Sequence, residues 1–205
     1  DTKYIRLGSS TTMLSKRWLV SFLKEHGDIR LSHTLAIPGE ILEGLLNGKF
    51  DFGLTTSKLD HPKIVSLPLW NDRYTMLADA KHPLAQLKKV YLKDIRNEKI
   101  CALPEEQGKF RIVDELCRKF DFEPDFVLEG NVELLRDYMH EGLGVSFGLG
   151  SVQNAYGDIR SIPLADEVGE VSVYLSWSSE RYLTNSMLTL QNYLSEVGKN
   201  IEAEL

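Results

Sequence analysis

Two periodicities take turns along this chain. Ile5 and Leu7 alternate with Tyr4 and Arg6, which predicts a short strand. After the polar run Gly8-Ser9-Ser10-Thr11-Thr12, the residues Leu14, Trp18, Leu19, Phe22 and Leu23 recur at helical spacing. Residues 29–35 alternate again. Ala36-Ile37-Pro38-Gly39 reads as a turn, and Ile41, Leu42, Leu45 and Leu46 mark a short helix over 40–47 stopped by Gly48. Residues 50–55 read as a buried strand. The first 55 residues are therefore βαβαβ, which predicts a parallel sheet with right-handed crossovers.

Two further strands are predicted at 65–69 and 74–77. The chain then leaves the first domain at Ala78-Asp79-Ala80-Lys81-His82-Pro83-Leu84. A second βα series follows. It has a helical turn at 91–95, a strand at 99–103, a polar turn at 104–109 and a helix at 110–120. Next come a strand at 125–129, a helix at 133–141 ended by Gly142, a strand at 145–149 and a short helix at 152–156. Strands at 159–164 and 170–177 and a last helix over 183–197 complete the pattern.

Composition narrows the class. Hydrophobic residues make up 42% and charged residues 26%, an ordinary globular balance. No apolar run approaches the length of a membrane span, and the N-terminus, DTKYIRLG, has no apolar signal region. It also lacks an initiator Met, which marks the chain as an expected piece of a longer protein. The net charge of −6 argues against DNA binding by these residues themselves, since phosphate contacts need clustered Lys and Arg. Cys101 and Cys117 have no metal-ligand spacing and sit in apolar runs. Both are expected to be reduced and buried, with a redox pair as the alternative.

Strand, small polar turn and helix start recur at 8–12, 38–39, 107–109, 131 and 150–151. Helix N-termini carry N–H groups without backbone partners and the positive end of the dipole. Hydroxyls there either cap the helix or, with those N–H groups, hold an anion. In open α/β sheets such turns gather at the carboxyl ends of strands, where ligands bind. Lys109 and Arg111 could add charge, or be plain surface residues. No nucleophile elbow, phosphate loop or paired-His zinc motif is present. The histidines at 26, 33, 61, 82 and 140 are scattered without metal spacing, and His82 before Pro83 reads as a turn residue. Glu105-Glu106 reads as a solvated pair. No enzyme activity, metal or cofactor is expected.

In order and spacing these pieces resemble the effector-binding domain of LysR-type transcriptional regulators. The likeness rests on IRLGSSTTMLSKRWLVSFLKEHGDIRLS, EILEGLLNGKFDFGL, LWNDRYTMLADAKHPLA and EGNVELLRDYMHEGLGVSFGLGSV. It runs from Ile5 to about Val197. The resemblance implies an α/β fold of two Rossmann-like subdomains joined by two crossing strands, like a type 2 periplasmic binding protein. The expected subdomains are 1–77 with 178–205, and 78–177, with hinges near 76–80 and 174–179. A small effector, a carboxylate or other anion, is implied between them. By position, Ser10, Thr12 and Met13 match the first ligand loop, with Thr11 supporting the turn. Pro38 and Gly39 match the second, Gln107, Gly108 and Lys109 the third, and Asn131 and Val132 the fourth. Asp79 falls at the hinge.

The family also implies a homodimer or homotetramer, a cytoplasmic location, no membrane contact, and DNA binding only through a helix-turn-helix domain preceding these residues. Trp18 and Phe22 are expected to give the first helix an apolar dimer face. The Leu-Pro that the family often has early in that helix is missing. The third loop has no cysteine, unlike the peroxide-sensing branch. A solute receptor of a transport system shares the implied fold and is the alternative.

Overall fold

The computed structural model describes residues 3–10, 12–104, 117–152 and 157–204. The chain divides into two compact units, Asp1–Asp72 with Val171–Leu205, and Arg73–Glu170. The crossings expected at 77/78 and 177/178 lie farther along the same two connecting strands than these boundaries.

In the first unit, β1 (Tyr4–Ser9) pairs in parallel with β2 (Arg30–Leu35) and with β3 (Phe52–Thr55). The strand β9 (Glu170–Ser178) runs antiparallel to β3. The βαβαβ reading and its parallel pairing therefore hold. Alternation has its usual cause: Ile5 and Leu7 of β1, and Val173 and Leu175 of β9, are fully buried on one face.

α1 (Thr12–Glu25) packs against α4 (Asn185–Glu204). Trp18 meets Trp70 edge-on at 5.1 Å between ring centres, and Phe22 meets Tyr193 at 5.3 Å. Trp18 and Phe22 are thus core residues of this unit, and the outward apolar face expected of them is corrected. Val20, 64% exposed, is a large apolar residue that α1 turns outward. α2 (Pro38–Leu46) covers a second cluster of Ile41, Leu45, Phe50 and Leu59. Pro38 and Gly39, expected in a turn, are its first residues. Proline suits that place because its missing N–H would have no helical partner.

The two strands expected at 65–69 and 74–77 are one, β4 (Ile64–Asp79). In the second unit its later part pairs antiparallel with β7 (Ser146–Leu149) and β8 (Ile159–Pro163). β5 (Lys99–Ala102) and β6 (Asp125–Glu129) form a parallel pair. α3 (Val132–His140) packs on β5 and β8. Short 3-10 turns lie at Pro83–Gln86, Leu92–Ile95 and Gly150–Val152. The core here is Met76, Ala78, Val90, Leu92, Ile95, Ile100, Val145 and Ile162, with Cys117. Cys101 and Cys117 are both buried and form no disulfide. Burial pushes the Cys101 thiol up to about 11, far from a reactive thiolate at neutral pH. Among the described residues, no helix is long and apolar enough to cross a membrane.

Candidate functional site

The parallel register of the first unit brings the carboxyl ends of three strands side by side. Ser9 stands opposite Leu35 on one side and Leu54 on the other. The Ser10 N–H donates to the Leu54 carbonyl at 3.0 Å, and the Ala36 N–H donates to the Ser9 carbonyl at 3.0 Å. This pins the turn leading into α1 beside the turn leading into α2. Ser10 and the Pro38-Gly39 pair, 28 residues apart in the chain by their numbers, are thereby brought to one edge of the sheet.

That edge is only partly satisfied from within. The Ser10 hydroxyl oxygen is out of solvent and has no hydrogen-bond partner among the described residues. Such a group costs about 1–3 kcal/mol unless something pairs with it. No acidic residue stands in the first turn of α1, so the dipole's positive end there is not offset from within that turn. At α2 no side chain caps the helix, because Ile37 at the capping position has no acceptor. Glu40 instead accepts the Ile37 N–H at 3.2 Å and places its negative charge on that first turn. Thr12 and Met13 are the first two residues of α1 and are described in backbone only; Thr11 lies outside the described residues.

In the second unit, Gly130 follows β6 and donates its N–H to the Ala102 carbonyl at the end of β5, at 3.2 Å. Asn131 sits at the N-cap of α3, and its Oδ1 accepts the Leu134 N–H at 2.9 Å. Its acceptor oxygen is thus used on its own helix. Val132 is the first residue of α3. Gln107, Gly108, Lys109, Arg111 and the Glu105-Glu106 pair lie outside the described residues.

Asp79 is the last residue of β4 and is buried, 4% exposed. Its Oδ1 accepts the Lys81 N–H at 2.8 Å and its Oδ2 lies 3.0 Å from Nδ1 of His140. The Lys81 N–H, then His140, hold this carboxyl below its usual range against the opposing effect of burial. His82 is a capping residue: its Nδ1 accepts the Leu84 N–H at 3.2 Å, as its place before Pro83 predicts. Sequence patterns did not point to Asp51. It is 2% exposed and takes the Arg6 N–H at 2.6 Å on Oδ2, the Arg6 guanidinium at 2.8 Å on Oδ1, and Arg181 as a second cation.

The profile of the LysR substrate binding domain family matches residues 2–199. The transcriptional regulator CysB of Burkholderia cenocepacia is 24% identical over 181 residues, 86% of this chain and 58% of that protein. The regulator cbl of Klebsiella aerogenes is 28% identical over 143 residues, 68% of this chain and 44% of that protein. The chain thus spans about half the length of these curated relatives. Among solved structures, the BenM effector-binding domain with its effector benzoate superposes with a TM-score of 0.75 at 22% identity, covering 97% of this chain and 93% of that one. The effector-binding domain of QuiR in complex with shikimate gives 0.72 at 19% identity, covering 96% and 97%. The fold is the mixed α/β fold of LysR effector-binding domains, which are type 2 periplasmic-binding-protein folds. The matched family is not one of enzymes.

Proposed function

Since this chain belongs to the LysR substrate-binding domain family, we propose that it senses a small organic acid or other small anion for a LysR-type regulator. The observation behind this is the Ser10 hydroxyl, shielded and without a partner among the described residues, beside the start of a 14-residue helix. An acceptor oxygen arriving there gives that hydroxyl a partner and meets the positive end of the α1 dipole. Pro38 and Gly39 form the neighbouring wall. Benzoate in the BenM domain and shikimate in the QuiR domain are both carboxylates, which supports the same class of ligand here. Effector binding then shifts the protein between two states by its differential affinity for them. The working protein is a cytoplasmic homodimer or homotetramer, and it meets DNA through a helix-turn-helix part outside these residues.

The 205-residue chain would be screened by thermal shift against benzoate, shikimate, short dicarboxylates and sulfate. At least one of these raises the melting temperature, and Ser10→Ala weakens that ligand about tenfold by calorimetry, the value of one charge-assisted hydrogen bond. A screen with no stabilising acid or anion, or an unchanged affinity in Ser10→Ala, would sink the proposal.

A further inference from the structure

Asp79, His140 and Asp158 come from three separate places in the second unit. Asp79 ends β4, His140 ends α3, and Asp158 lies just before β8. One oxygen of each carboxylate and one nitrogen of the imidazole all lie within 4.8 Å of one another. His140 Nδ1 is 3.0 Å from Asp79 Oδ2 and 3.2 Å from Asp158 Oδ2. Metal bonds of 2.0–2.2 Å to nitrogen and oxygen put neighbouring ligand atoms roughly 3.0–3.5 Å apart. The two imidazole–carboxylate separations fall in that range, and the two carboxylate oxygens lie within 4.8 Å of each other.

We propose that Asp79 Oδ2, His140 Nδ1 and Asp158 Oδ2 form a binding site for a divalent first-row metal ion of the zinc type. The donor set fits, since imidazole and carboxylate ligands suit Zn²⁺ and its neighbours. The outer partners fit as well. Asp79 Oδ1 is held by the Lys81 N–H at 2.8 Å, and Asp158 Oδ1 by Arg136 Nε at 3.2 Å. Asp79 thus keeps one oxygen fixed and turns the other to His140, while Arg136 grips both oxygens of Asp158 and would have to release Oδ2. The Asp158 carbonyl also accepts the Ala80 N–H at 2.8 Å, which ties the Asp158 loop to the end of β4.

The surroundings are mixed in charge: the two carboxylates face the Arg136 guanidinium and His140, and the Lys81 ammonium also acts on Asp79. His140 also stands in the last turn of α3, where the helix dipole is negative and favours a cation. The His140 side chain is 49% exposed, which gives an ion a way in and leaves positions for water. Arg136 Nη2 reaches Asp158 Oδ2 at 3.3 Å and is the group that yields when the ion enters. A protonated His140 bridging the two acids is the competing occupant of the same space. The ion would clamp β4, α3 and the loop before β8 together at the residue that the family resemblance puts at the hinge. This site is independent of the effector proposed above.

The test is calorimetry and thermal shift with Zn²⁺, and visible absorption with Co²⁺, on the metal-free chain. One ion binds per chain, it raises the melting temperature, and Co²⁺ gives a d–d band typical of nitrogen and oxygen ligands. His140→Ala and Asp158→Asn each weaken binding at least about tenfold, while His61→Ala leaves it unchanged. Melting temperatures in chelator establish that the variants fold. Absence of binding by both cations, or unchanged affinity in either ligand variant, would overturn the site.

Discussion

Asp51 in the first unit and Asp79 in the second are both carboxylates buried at a strand end, and they are held by opposite means. Asp51 is gripped by the Arg6 N–H, the Arg6 guanidinium and Arg181. Guanidinium groups do not lose their protons in proteins, so this clamp is permanent. It ties β1 to the start of β3 and to the segment after β9. Asp79 is held by one backbone N–H and by an imidazole that it shares with Asp158. Imidazole titrates near neutrality and can exchange its proton for a metal. The first arrangement keeps two permanent cations on its acid, whereas the second includes the partner that the proposed metal ion would engage.

The sharpest way to break this comparison is to remove each acid in turn. Asp51→Ala strips the partner from a backbone N–H and leaves two arginines facing one another. A loss of about 3 kcal/mol is expected, toward the lower end for a broken buried pair because both arginines are about one-third exposed. Asp79→Ala is expected to cost about 1 kcal/mol, since it loses one backbone bond and a half-exposed imidazole partner. Urea unfolding of the two variants measures both. Equal losses would mean that the permanent and the exchangeable clamp are energetically alike.

A second contrast, of smaller size, separates the two turn residues. Asn131 spends its side-chain oxygen on the Leu134 N–H, so Asn131→Ala should cost about 1 kcal/mol, the usual value of a lost N-cap. Ser10 spends its hydroxyl on nothing described, so Ser10→Ala removes an unpaired buried group and should raise stability by about 1 kcal/mol. Chemical denaturation without ligand decides this. A Ser10→Ala loss as large as that of Asn131→Ala would make Ser10 a structural residue.

What could be read from the sequence depended on range. Ile5, Leu7, Val173 and Leu175 declared their strands because period-two alternation is a local signal. β4 was split in reading because Trp70-Asn71-Asp72-Arg73 looks like a polar break. Trp70 and Asp72 are in fact 2% and 1% exposed and lie within one continuous strand. The last helix, expected over 183–197, runs on to Glu204. Gly198 lies inside α4, where an added Cβ would come within 2.2 Å of the Leu69 carbonyl oxygen. It serves close packing rather than a stop. Trp18 and Phe22 show that helical spacing finds an apolar face without saying what covers it. At the candidate site, Ser10 was legible as part of a hydroxyl run. His140 and Asp79, 61 residues apart, were not, because only the folded sheet brings them together.

The smallest effect expected, and the one most specific to Asp79, is on the acid limb. Its folded-state carboxyl is lowered from 3.8, chiefly by the Lys81 N–H and then, against the cost of burial, by His140. A lowered carboxyl contributes stability that is fully present above the unfolded value and is lost as pH falls through the folded one. The loss therefore belongs below pH 3.8, where the unfolded chain takes up the proton before the folded chain does. Asp158, lowered first by its hydrogen bond from Arg136, adds to the same limb. Urea midpoints of the parent and of Asp79→Asn, followed from about pH 5 downward, are expected to converge as the pH falls through this window. Parallel curves would mean that the Lys81 and His140 contacts do not distinguish the charged carboxylate from its neutral form, and the contrast with Asp51 would lose its electrostatic basis.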